Sequence, residues 1–236
     1  MERFDAAPGH HWRESARVAE YLERNDRDDD RGPVFELMTR LVPQPSDAPL
    51  RVLDVGSGHG VVAAAFLDAF PQAVAYGLDI SEAMMEEGRR RMARFGDRFS
   101  YIAGDFSDAK LPHQACAKGP YDVVTSARAI HHLAPEDVAR LYADIHRNVA
   151  PGGCFLNFDS AAPGDDFLRD LYRSLRRGAG EQRRRESEVR PLGQGETHSR
   201  DTTMADHLRF LTEAGFTSVD CMYKRLGHAV VGGYKR

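Results

Sequence analysis

Arg51-Val52-Leu53-Asp54-Val55-Gly56-Ser57-Gly58-His59-Gly60 passes from an apolar run into regularly spaced glycines. Val52, Leu53 and Val55 make a short apolar run of strand length, which breaks off into three glycines at alternate positions. Val61, Val62, Ala65 and Phe66 then return at helical spacing. A strand, a glycine turn and a helix in succession are the opening unit of a parallel sheet. Lacking Cβ, the glycines allow unusual torsions and let a ligand approach the backbone at the carboxyl end of the strand. Taken alone, that spacing fits a nucleotide-like ligand and an ordinary tight turn equally well.

Working outward, Ala73–Leu78 reads as the next strand and ends at Asp79, after which Ser81 caps a helix carrying Met84, Met85, Met92 and Phe95. Phe99–Ala103 is a third strand ending before Asp105, and Tyr121–Ser126 a fourth. Val138, Leu141, Ile145 and Val149 mark a helix over 136–149, which Pro151-Gly152-Gly153 stops before a fifth strand at Cys154–Phe158. The alternation predicts helices on both faces of a mainly parallel sheet. Met204, Leu208 and Leu211 predict a helix ended by Gly215, followed by a hairpin of strands near Thr217–Met222 and His228–Gly233.

Upstream, residues 13–23 and a segment beginning after Pro33 read as amphipathic helices, so residues 1–45 are expected to form a helical cap on a main domain at 46–236. The stretch 160–203 is too long for an ordinary connector and holds a helical pattern at Phe167–Leu175; it is expected to form a lid.

The 236 residues suit one globular domain, and 42% hydrophobic with 29% charged residues can build a core under a solvated exterior. A formal charge of -4 gives no broad attraction to phosphate backbones, which disfavours a nucleic-acid partner. No run reaches the roughly eighteen apolar residues of a membrane helix, and the start is not signal-like, so a cytoplasmic protein without membrane contact is expected. Cys116, Cys154 and Cys221 are too few and too dispersed for a disulfide framework or a metal site. Asp28-Asp29-Asp30 lacks an ordered calcium loop after it and reads as a solvated turn.

Asp79 at the end of the second strand is placed to accept hydrogen bonds from paired ribose hydroxyls, or else to cap the following helix. Asp105 occupies the equivalent place after the third strand, within reach of an adenine amino group, and Phe106 is either a neighbour of that ring or a core aromatic. Leu53–Gly60, Gly77-Leu78-Asp79-Ile80-Ser81, Gly104-Asp105-Phe106 and Tyr121-Asp122-Val123-Val124 together resemble the class I S-adenosylmethionine (SAM)-dependent methyltransferases over about residues 48–158 and 203–233. The resemblance implies an α/β, Rossmann-like fold with seven strands in the order 3-2-1-4-5-7-6, the last-added strand antiparallel. It also implies that Asp54 and the backbone of Gly56, Ser57, Gly58 and Gly60 surround the methionine part of SAM. Asp79 with Ile80 would hold the ribose, Gly104, Asp105 and Phe106 the adenine, and Ser126 would close the pocket. The donor is already electrophilic, so no metal is expected.

On the acceptor side the fourth strand leads into Ser126-Ala127-Arg128-Ala129-Ile130-His131-His132. His131 is the first candidate for a base toward a phenolic proton, with His132 beside it and Arg128 steadying the resulting anion. The bland alternative is that the histidines cap a helix and Arg128 snorkels to solvent. This stretch has a limited similarity to aromatic C-methyltransferases of coumarin-antibiotic pathways. Aligning His131 with their histidine puts Ala127, not Arg128, at their arginine. His11, Trp12 and Tyr21 are candidates for an aromatic wall over the acceptor, and His198, Tyr223 and His228 for further acceptor contacts, while Arg183-Arg184-Arg185 reads as a solvated basic face.

The expected activity is therefore methyl transfer from SAM to a small aromatic or phenolic acceptor, at ring carbon, oxygen or nitrogen, releasing S-adenosylhomocysteine (SAH). RNA or protein methylation, or SAM sensing without catalysis, stand as alternatives. The expected assembly is a monomer or homodimer.

Overall fold

The computed structural model describes residues 31–175 and 202–236. Seven strands form one sheet: β1 (Arg51–Val55), β2 (Val74–Asp79), β3 (Phe99–Ala103), β4 (Tyr121–Ala127), β5 (Val149–Ser160), β6 (Thr217–Arg225) and β7 (His228–Tyr234). Their order is β3-β2-β1-β4-β5-β7-β6. β1 pairs parallel with β2 and β4, and β7 runs antiparallel to both β5 and β6. The expected topology holds, including the terminal hairpin.

Successive strand side chains point to opposite faces, which divides the core in two. On one face Val52, Val123 and Leu156 pack under α1 (Gly32–Arg40), α2 (Val61–Ala69) and the end of α3 (Glu82–Met92). On the other, Leu53, Val55, Val124 and Phe155 meet α4 (His113–Cys116), α5 (Pro135–Asn148) and α6 (Met204–Glu213). Helix boundaries follow local chemistry. Ser81 Oγ accepts the Met84 amide at 3.3 Å to start α3, and Thr203 with Asp206 forms a capping box on α6.

The Pro151-Gly152-Gly153 signal behaves differently from the expectation. Strand β5 already begins at Val149, and residues 150–153 bulge out of register between the Tyr121↔Val149 and Val123↔Cys154 pairs. Gly152 takes φ 81° there, its amide donating to the Lys235 carbonyl. The chain terminus thus supplies the hydrogen bonds that let the strand continue through a breaker motif. Residues 166–175 are helical, and the expected helix at 13–23 lies outside the described residues.

Candidate functional site

The carboxyl ends of β1, β2 and β4 open into a cleft of about 920 Å³, counting the part continuous with solvent. Its floor is the Gly56–His59 turn, held to the sheet because the Gly56 and Ser57 amides both donate to the Leu78 carbonyl. Gly56 (φ 70°) and Gly58 (φ 55°) lie in the left-handed region. A Cβ on Gly56 would come within 2.2 Å of the Ala129 Cβ, so only glycine lets the two walls approach there. At Gly58 the space above the Cα is open.

Asp79 lines the cleft and already serves the protein: Oδ2 accepts the Gly58 amide at 2.7 Å and Oδ1 the Ser81 amide at 2.8 Å. Each oxygen keeps a lone pair for a further donor. Burial pushes its carboxyl upward despite those bonds. Asp105 Oδ1 accepts the Ser107 amide at 2.8 Å, and Asp105, Phe106 and Ser107 line the same side. Ile80 and Met84 are also on the wall.

Asp54 stands behind this wall. It is fully buried, Oδ2 accepting a long bond of 3.3 Å from the Ala63 amide, and burial pushes its carboxyl up to about 7. The Ser57 hydroxyl is near enough to soften that shift without a well-formed hydrogen bond, and both Asp54 Oδ1 and Ser57 Oγ are buried without a partner. A buried carboxylate with one orphaned oxygen, Asp54, and a second, Asp79, with lone pairs to spare, beside a glycine turn with open space, fit a ligand that brings an ammonium group and paired hydroxyls. SAM has both.

Three other expected cofactor residues stand behind the cleft wall. Gly60 is the left-handed N-cap of α2, and a Cβ there would meet Met92 at 2.8 Å. Gly104 packs against Pro112 and Leu78. The buried Ser126 hydroxyl donates to the Val55 carbonyl at 2.8 Å, tying β4 to β1, and its neighbour Ala127 is the one on the lining.

Opposite the acids, Ala127, Arg128, Ala129, His132 and Leu133 form the second wall, with Arg31 and Phe35 of the α1 region over it. Arg128 holds φ 57°, a backbone state that costs a non-glycine residue about 1–3 kcal/mol. Its amide donates to the Phe158 carbonyl. His131 is absent from the lining: its Nδ1 lies 2.6 Å from Asp159 Oδ1, and its amide donates to Asp159 Oδ2 at 2.9 Å. Burial alone would raise the Asp159 carboxyl, but the His131 charge and these bonds hold it far below the ordinary range. The His131 and His132 rings are 4.2 Å apart.

Sequence reasoning did not single out Asp159, nor Arg31 and Phe35 as cleft residues. Asp159 had a signal, since it is an acid near the carboxyl end of a strand, as Asp79 is. Tyr223 and His228 lie in the β6–β7 hairpin, away from the lining, where Tyr223 pairs with Val230 and His228 with Arg225. His11, Trp12, Tyr21, His198 and Arg183–Arg185 lie outside the described residues. Among the described residues no group of three His, Cys, Asp or Glu side chains is arranged to hold a metal, and no helix is long and apolar enough to cross a membrane.

A family model described as a methyltransferase domain matches residues 52–153. The trans-aconitate 2-methyltransferase of Methylobacterium nodulans is 28% identical over 91% of this chain and 74% of its own. The demethylmenaquinone methyltransferase of Symbiobacterium thermophilum is 32% identical, over 50% of this chain and 45% of its own. Among solved structures, PigF with SAH superposes with a TM-score of 0.63 at 20% identity, covering 95% of this chain and 60% of that one. The SAM-dependent methyltransferase SibL, in its apo form, gives 0.56 at 28% identity over 85% and 55%. The chain thus spans roughly half to three quarters of the length of these proteins.

Proposed function

The chain belongs to the class I SAM-dependent methyltransferase family, and from that premise we propose that it methylates a small metabolite, an aromatic or phenolic one in first place. The observation that carries this reading is the opposition, across one cleft, of a glycine turn with Asp79, Asp105 and Phe106 and a wall with Arg128 and His132. SAM supplies a methyl group on a cationic sulfur. In this reading Asp54 relieves its buried charge against the amino-acid end of the donor, Asp79 accepts from the ribose hydroxyls, and Asp105 accepts from the adenine amino group beside Phe106. The apolar walls exclude water and fix the acceptor in line for attack.

The proton of an ionisable acceptor passes to the paired imidazoles. His132 lines the cleft, and His131 packs against it with its ring tilted and Nδ1 beside Asp159, which supports His132 as the acceptor-facing base and His131 as its positioning residue. Arg128, on the same wall, supplies positive charge toward an anionic acceptor.

The test is product analysis with labelled SAM against phenols, amines, small acids, RNA and peptides. Label in a small molecule is expected, with His132→Asn slowing single-turnover methylation and shifting its pH profile. Label confined to RNA or peptide, or tight SAH binding with no product, would overturn this reading in favour of macromolecular methylation or SAM sensing.

A further inference from the structure

The geometry points to an acceptor that carries a carboxylate, gripped by Arg31 and Arg128; this inference rests on the proposed methyl-transfer reading and narrows its substrate class. Both guanidinium residues line the cleft, and among the described residues neither side chain is engaged by a carboxylate or a hydrogen bond. Elsewhere among the described residues the arginines are largely spent. Arg89, Arg90, Arg91, Arg94, Arg140, Arg147 and Arg209 all pair with acids. Two cations without such a partner among the described residues, at one cleft, are a departure from that habit.

Their nearness follows from the packing. Arg31 caps α1, its carbonyl accepting the Val34 and Phe35 amides, and one turn on the Phe35 ring lies 6.2 Å from Phe158 edge to face. The Phe158 carbonyl in turn receives the Arg128 amide. One aromatic contact and one backbone bond therefore bring the α1 terminus beside the turn after β4. The cleft acids lie on the other flank: Asp79 ends β2 and Asp105 follows β3, whereas Arg128 follows β4 with β1 between. Two strand spacings, about 10 Å, separate the β2 and β4 ends. The acids are thus poorly placed to neutralise these arginines.

Between the two flanks the lining is largely apolar, with Val61, Val62, Ala129 and Leu133. In such surroundings an anion without a partner is strongly disfavoured, and a guanidinium fork matches the planar oxygens of a carboxylate. The left-handed backbone of Arg128 fits the same purpose. Strain of this kind persists where the surrounding structure over-determines the backbone, and the Phe158 carbonyl holds the Arg128 amide there.

Calorimetry on the full chain saturated with SAH tests this, using matched probes: 4-hydroxybenzoate, 4-hydroxybenzamide, 4-hydroxyphenyl phosphate and trans-aconitate. At least one of the two carboxylates is expected to bind tenfold or more tightly than the amide. Arg128→Gln and Arg31→Gln should each cut that preference at least fivefold while leaving SAH affinity within twofold. Arg40→Gln, on the exposed side of α1, controls for net charge and should change neither. Equal binding of acid and amide, binding of no carboxylate, stronger binding of the phosphate, or a preference that survives both variants would overturn the assignment. If SAH itself does not bind, the underlying methyl-transfer reading fails instead, and the two failures are distinguishable in the first titration.

Discussion

Asp54 has the most to gain from a ligand. Its folded-state pKa of about 7 stands above the ordinary 3.8, so the retained proton stabilises the folded chain fully below about pH 4. That contribution is lost as pH rises through 7. A ligand ammonium or hydrogen-bond donor near the carboxylate reverses the shift, so SAH binding near pH 7, where the group is about half protonated, is expected to release about half a proton. Calorimetry in buffers of different ionisation enthalpy reads this directly, and Asp54→Asn should abolish it. A binding enthalpy independent of buffer would contradict the role given to Asp54. The acid was legible in the sequence as part of the glycine signature. Its complete burial was not, because that depends on α2 folding back over β1, a tertiary event that strand and turn patterns do not encode.

At the scale of elements, the turn from Ala127 to His132 is held in place by β5. Asp159 takes both the amide and the ring of His131, and Phe158 takes the Arg128 amide. Asp159→Leu leaves a buried imidazole without its partner and is expected to cost about 3–5 kcal/mol, while Asp159→Asn keeps an acceptor and should cost less. Because the Asp159 carboxyl is depressed in the folded state, its contribution is present above the ordinary carboxylate range and lost on further acidification. Acid unfolding of Asp159→Asn should therefore be less pH-dependent than that of the wild type below about pH 4; an identical acid limb would show the pair to be idle. The elements themselves were readable where periodicity and caps agree, as at β1, Ser81 and the terminal hairpin. The start of β5 was misread because Pro151-Gly152-Gly153 breaks structure locally, whereas partners from the far end of the chain rescue the strand. The His131–Asp159 pairing joins positions in different strand–turn units, and only the register of the sheet brings them together.

For the whole molecule, the sheet order puts the acidic flank on β2 and β3 and the basic flank beyond β4, with the glycine turn of β1 between them. That division was visible in outline from the order of the motifs. The part played by α1 was not, since Arg31 and Phe35 carry no motif and become cleft residues through tertiary packing, the Phe35–Phe158 contact included. This junction is the proposed site of the methyl donor, with Asp79 as its ribose acceptor. Titrating the folded chain with SAH by calorimetry tests it most directly. One equivalent is expected to bind, and Asp79→Ala should weaken it by about 1.5–3 kcal/mol, roughly tenfold to more than a hundredfold, with Asp79→Asn in between. Undetectable SAH binding by folded wild-type protein, or unchanged affinity in the Asp79→Ala variant, would contradict the account.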